Sequence, residues 1–125
     1  MTRYRIALAA LLVSTPPAMA MEPAKTMTTP GGKVFTNSKG MTLYVFDKDT
    51  AKKSNCYDGC ARAWPPFMAA SGAKPEGEWT IVERTDGHKM WAYDGKPLYT
   101  YAKDKKPGDM TGDGVGGVWH LALDQ

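Results

Sequence analysis

The sequence predicts an all-β, mainly antiparallel fold in which two pseudo-symmetric, hairpin-based repeats pack as one small domain. Three observations carry that prediction. A shift of 55 residues lays the segment Gly40–Trp64 over Gly95–Trp119 without a gap. Short runs of alternating apolar and polar residues are divided by turns that end in glycine. Each copy then passes through an acidic or lysine-rich loop to a tryptophan.

The chain opens on a segment with the grammar of a secretory signal. Arg3 and Arg5 precede the apolar run Ile6–Val13, Pro16 and Pro17 break any helix, and Ala18-Met19-Ala20 offers the small residues a signal peptidase accepts. The apolar run is far short of the ~20 residues that cross a bilayer, so no transmembrane anchor is predicted. Cleavage after Ala20 places the protein in the periplasm, and with no cysteine near the cleavage point nothing is present to carry a lipid. Residues 21–31, rich in Thr, Pro and Gly without periodicity, read as a flexible leader. Residues 32–125 then form one β domain, with repeats at about 33–67 and 78–122.

In the first copy Lys33-Val34-Phe35-Thr36 runs into the turn Asn37–Gly40, and Met41–Phe46 returns as a strand. In the second, Trp79–Arg84, His88–Tyr93 and Pro97–Tyr101 are separated by Asp86-Gly87 and Asp94-Gly95. Asp-Gly between alternating runs is a strong hairpin signal, because glycine accepts the positive φ of a type I′ turn. Alternation sends Leu43 and Val45 to one face and Thr42, Tyr44 and Phe46 to the other, and divides Leu98 and Thr100 from Tyr99 and Tyr101 likewise. Both faces are thus partly apolar, so the repeats either pack sheet to sheet or share one sheet covered on both sides. Met68–Gly77, rich in Ala, Gly and Pro, is the connector. Each copy is too small to bury a core alone, which argues for one cooperative unit.

The shift superposes Leu43 on Leu98, Tyr44 on Tyr99, Phe46 on Tyr101, Lys48 on Lys103, Asp49 on Asp104 and Trp64 on Trp119. Tyr44-Val45-Phe46-Asp47-Lys48-Asp49 and Tyr99-Thr100-Tyr101-Ala102-Lys103-Asp104 thereby repeat one pattern, Tyr-x-aromatic-x-x-Asp. With Cys56–Pro66 and Gly112–His120 around it, that pattern resembles a bacterial family of secreted, lipoprotein-type repeats whose role is generally described as unknown. The resemblance implies export and a repeat architecture and assigns no activity. A lipidated cysteine, frequent in that family, is missing from this sequence, which favours a free periplasmic form.

Cys56 and Cys60 stand four apart in a segment that Asn55 is placed to cap as a helical turn around Cys56–Trp64, and that Pro65-Pro66 ends. On a helical turn such residues lie about 6 Å apart, within reach of a disulfide, and an oxidising compartment favours the bond. The competing reading is a soft Cu(I) or redox site of Cys56, Cys60 and His120, which makes the chain a copper or redox accessory protein. Met27, Met41, Met68, Met90 and Met110 form no Met-x-x-Met cluster and read as core fillers. Asp109–Gly114 begins like a calcium loop, but its twelfth position is His120 rather than a bidentate acid. No cofactor or resident metal is therefore predicted.

The twin aromatics Tyr44, Phe46, Trp64, Tyr99, Tyr101 and Trp119 read first as a shared core, with Asp49 and Asp104 accepting backbone N–H groups or a tyrosine hydroxyl. Alternatively they line a groove for cell-wall polymer. Removal of Arg3 and Arg5 lowers the formal charge from +3 to +1, which argues against nucleic acid. Lys48, Lys52 and Lys53, with Lys103, Lys105 and Lys106, read as solvated loops rather than a patch for anionic lipid. No nucleophile elbow, phosphate-cradling loop or apolar acid pocket is legible. The expectation is a monomeric, non-catalytic binding or envelope-associated protein.

Overall fold

The computed structural model describes residues 22–124, and the expected signal segment at 1–20 lies outside them. The described chain is mostly antiparallel strand: β1 (Lys25–Thr29), β2 (Gly32–Thr36), β3 (Tyr44–Phe46), β4 (Trp79–Glu83), β5 (Lys89–Tyr93), β6 (Lys96–Pro97) and β7 (Trp119–Leu121). One short helix, α1 (Gly59–Ala63), and a 3-10 turn at Val115–Gly117 complete it.

Each repeat begins with a hairpin. β1 pairs with β2 from Lys25↔Thr36 to Thr29↔Gly32, and β4 with β5 from Trp79↔Tyr93 to Glu83↔Lys89. The first pairing corrects the expectation of a loose leader across 21–31. β1 is an edge strand with largely exposed side chains, so its sequence lacks apolar alternation, and its order comes from the ladder to β2, whose Val34 and Phe35 are buried. The shift of 55 places Lys25 on Thr80, which makes β1 the counterpart of β4. Asp94 and Gly95 join β5 to β6 with φ of 53° and 76°, both left-handed as a type I′ turn requires.

The return strands are shorter than the sequence suggests because the chain changes partners at Leu43 and at Leu98. Leu43 N–H donates to Phe35 O (3.0 Å), Phe35 N–H to Ala122 O (2.9 Å) and Ala122 N–H to Leu43 O (2.9 Å), closing a ring of three backbone segments. In the other half Leu98, Trp91 and Phe67 close the same ring at 3.1, 2.8 and 2.9 Å. The third member of each ring comes from the opposite copy: Ala122 follows the second tryptophan, Phe67 the first. The repeats are therefore interlocked through exchanged arms.

Between the rings Tyr44 N–H donates to Tyr99 O (2.7 Å) and Tyr99 N–H to Tyr44 O (3.0 Å). These residues are equivalent under the shift, so the pseudo-twofold axis passes between them. β7 flanks β3 with Tyr44↔Leu121, Val45↔His120 and Phe46↔Trp119. On the other side Pro66 bridges Tyr99, and Thr100 N–H donates to Pro65 O (2.9 Å). Pro65 and Pro66 have no N–H to return, which leaves that arm without a full ladder.

This central layer is covered on both faces, as the alternation implies for a shared sheet. Tyr44, Trp64, Val82, Met90, Tyr99 and Trp119 form one buried cluster. Phe35, Leu43, Trp79, Trp91, Leu98 and Ala122 form another. Tyr44 and Tyr99 are fully buried. Tyr44→Ala and Tyr99→Ala are each expected to lower unfolding free energy by about 3–5 kcal/mol in chemical denaturation, the usual range for emptying a buried aromatic site.

Candidate functional site

The motif aromatics meet one another across the axis. Trp64 and Trp119 stack at 3.8 Å between ring centroids with 3° between planes. Tyr101 continues the stack on Trp64 at 3.9 Å and Phe46 on Trp119 at 4.2 Å. Tyr44 sets its edge against Trp64 at 5.3 Å, and Tyr99 against Trp119 at 5.2 Å. Gly112 closes over one end: a Cβ there would stand 2.7 Å from Trp64 Cη2 and 2.9 Å from a Tyr101 ring carbon. Both tryptophans are buried, and their flat faces are occupied by other rings. Nothing of Trp64 or Trp119 is left to stack on a sugar.

The motif acids are exchanged as well. Tyr44 Oη donates to Asp104 Oδ2 and Tyr99 Oη to Asp49 Oδ2, both at 2.6 Å, so each tyrosine meets the acid of the other copy. Asp49 also accepts Asn55 N–H (2.7 Å), and Asp104 accepts Thr111 N–H (3.0 Å) and its hydroxyl (2.5 Å). Burial, and then the facing carboxylate, pushes both tyrosine hydroxyls far above their ordinary value of 10.0. Burial likewise raises Asp49 above 3.8, against the opposing pull of the Tyr99 and Asn55 hydrogen bonds and the Arg84 charge.

The two tyrosines differ in what donates to their oxygen. Gly112 N–H donates to Tyr44 Oη (3.1 Å). Tyr99 Oη instead takes the hydroxyl of Ser54 (2.7 Å), since its own proton goes to Asp49, and Ser54 Oγ accepts from Arg84 Nη1 (2.9 Å). Arg84 is 3% exposed, donates to Cys56 O (2.8 Å), pairs with Asp86 (3.3 Å) and lies 4.2 Å from the centre of the Tyr57 ring. Sequence reasoning passed over Arg84. The available signal was alternation, which carries the buried face of Val82 on to position 84.

Cys56 and Cys60 are joined in a disulfide at the start of α1. Asn55 does not cap that helix. Its side chain donates to Lys48 O (2.8 Å), and Asp58, at φ 53°, stands at the N-cap without a side-chain bond. The alternative metal set Cys56, Cys60 and His120 is not brought together: both sulfurs are bonded to each other, Cys56 lies in the Trp119 cluster, and His120 alternates to the opposite face. Among the described residues no group of three or more His, Cys, Asp and Glu is placed to hold a metal. Asp109 serves its own turn instead, accepting Lys105 and Lys106 N–H, which hold its carboxyl below the ordinary value.

The opposite face carries the exposed polar chemistry. His120 Nε2 lies 2.8 Å from Asp47 Oδ2 at the mouth of a cleft of about 250 Å³. Val45, Leu98 and Ala122 line its apolar part, while Asp94 comes from the β5–β6 turn and Lys96 from the start of β6. A second hollow, about 310 Å³, continues from it and shares Val45, Asp47, Asp94 and Lys96. Repetition alone would not have found this site, because three of its polar residues lack polar counterparts and Asp94 stands opposite Lys39. The shift sets Asp47 against Ala102, Lys96 against Met41, and His120 against Pro65.

The pattern of a family described as a secreted repeat of unknown function matches the chain twice, at residues 25–68 and 80–122. Neither the curated proteins nor the solved structures hold a match to it. The matched spans coincide with the two interlocked halves and begin with β1 and β4.

The buried tyrosines set an alkaline limit. A hydroxyl whose folded pKa is raised contributes stability that is complete below its unfolded value of 10.0 and is lost as pH climbs beyond it. Unfolding free energy should fall above pH 10 by about 1.4 kcal/mol per pH unit for each of Tyr44 and Tyr99. Denaturant titrations at stepped pH measure this, and Tyr44→Phe and Tyr99→Phe should each flatten the slope. Replacing Cys56 and Cys60 together with alanine should cost about 2 kcal/mol, the entropy of so short a closed loop, again read by denaturant titration.

Proposed function

The chain belongs to a family of secreted repeats of unknown function, and on that premise we propose that it is an exported, non-catalytic binding protein of the periplasm. The observation that carries this reading is the division of labour between the two faces of the central layer. The repeated motif residues are engaged with one another, ring on ring and tyrosine on acid, and so serve as scaffold. The cleft beside Asp47 and His120 is open and mixed in polarity, and Asp47, Lys96 and His120 have Ala102, Met41 and Pro65 at the equivalent positions. Small-molecule sites combine an apolar lining with a few placed polar groups in this manner.

Absence of catalysis is supported by how the reactive groups are engaged. The Asp49 and Asp104 carboxylates are held by tyrosine and backbone donors, Ser54 is fixed between Arg84 and Tyr99, and the cysteines are bonded together. No helix among the described residues is long and apolar enough to cross a membrane, which accords with a free periplasmic protein.

Expression with the native N-terminus should release, on osmotic shock, a chain whose mass starts at Met21; retention in the cytoplasm or the membrane pellet would refute the localisation. Titration of the purified protein with soluble envelope extract should shift the His120 imidazole NMR signals and leave the Trp64 and Trp119 indole signals in place. The reverse pattern would move binding to the aromatic stack and overturn the proposal.

A further inference from the structure

The cleft lies where the two halves differ in several side chains. Ala122 and Phe67 occupy the same place in the two backbone rings, with Ala122 N–H on Leu43 O and Phe67 N–H on Leu98 O, both at 2.9 Å. Their side chains therefore leave the layer on the same face, and both join the cluster that contains Leu43 and Leu98. In the first copy that position carries a phenyl ring. In the second it carries a methyl group, and the hollow of about 250 Å³ opens over it. Three departures from symmetry around the hollow add a polar group: Asp47 for Ala102, Lys96 for Met41, His120 for Pro65; a fourth, Asp94 for Lys39, reverses a charge.

Resting on the binding role proposed above, we infer that this cleft takes a free amino acid with an apolar side chain. The side chain sits over Ala122 in the place a phenyl ring fills in the other half, against Val45 and Leu98. The rim carries both signs of charge, Asp47 and Asp94 against Lys96, and so matches a ligand with an ammonium and a carboxylate at one end. A purely anionic ligand would meet Asp47 and Asp94, and a purely cationic one Lys96. The Asp47–His120 contact fixes the carboxylate that faces the ammonium. A volume of about 250 Å³ accommodates a ligand of this size, below the roughly 300–1,000 Å³ of sites for drug-sized ligands.

Calorimetric titration of the mature protein with L-leucine and L-phenylalanine tests the inference, with N-acetyl-leucine and leucine amide as arms that each delete one charge. At least one free amino acid should bind, and both capped forms should bind at least tenfold more weakly. Ala122→Phe, which installs the residue of the equivalent position, should abolish binding while keeping the unfolding transition; Ala122→Val, a smaller intrusion, should weaken it severalfold if the phenylalanine variant fails to fold. Lys96→Met should lower affinity for leucine and leave that for leucine amide unchanged. Failure of both amino acids to bind, or equal binding of the capped forms, overturns the assignment of ligand class. In that case envelope extract that still shifts the His120 signals in wild type but not in Ala122→Phe preserves the cleft as a binding site, and shifts that persist in the variant remove it as well.

Discussion

The reciprocal backbone pair between Tyr44 and Tyr99 is the constraint from which the rest of the structure follows. Two equivalent residues can hydrogen-bond each other both ways only when a twofold axis runs between them. Once that axis is set, every element of one half has its place dictated relative to the other. The tyrosine rings leave on one face and meet the edges of Trp64 and Trp119, their hydroxyls reach the acid of the opposite copy, and the two tryptophans stack upon the axis itself. Neither half contains its own complement. An isolated repeat would leave a buried tyrosine hydroxyl without its carboxylate and a backbone ring without its third strand, each a loss on the scale of an unmade hydrogen bond, about 1–3 kcal/mol.

Interlocking of this kind separates scaffold from site. The residues that repeat are those the axis needs twice, and they are consumed by each other. Chemistry that breaks the repetition sits at the edges of the scaffold. Arg84 is drawn under the disulfide segment and reaches Ser54 and Cys56 on one side only, where the other half uses the N–H of Gly112. On the opposite face a methyl at Ala122, where the equivalent position carries Phe67, lines an open cleft together with Asp47 and His120. Duplication gives both halves a similar backbone plan, and difference at a few side chains accompanies the hollow that residues of both line.

Much of this was legible in order along the chain. The shift of 55 residues, the glycine turns at Asn37–Gly40 and Asp94-Gly95, the two-faced alternation around Tyr44 and Tyr99, and the bridging of Cys56 to Cys60 all follow from local rules of turn chemistry, strand period and reach. β1 was not legible, because an edge strand with one paired side and largely exposed side chains carries no apolar pattern to announce it. Asn55 was misread as a cap, since the acid that claims its N–H, Asp49, stands six residues back in a loop. Arg84 was missed because a cation at the end of an apolar strand looks like a solvated terminus until Ser54, Cys56 and Tyr57 are seen folded over it.

The sequence by itself determined that there are two copies, where the chain turns after β2 and on either side of β5, and which residues must be treated alike in both. Those properties depend on neighbours close along the chain or on identity at a fixed offset. Only the tertiary structure decided that the arms are exchanged, that Tyr44 meets Asp104 rather than its own Asp49, and that position 122 opens a space which position 67 fills. Those choices are made between residues 50 to 60 positions apart, where hydrogen-bond partners are selected by the axis and not by spacing. Two equal copies offer each side chain two equivalent partners, and a linear pattern contains nothing that distinguishes the near one from the far.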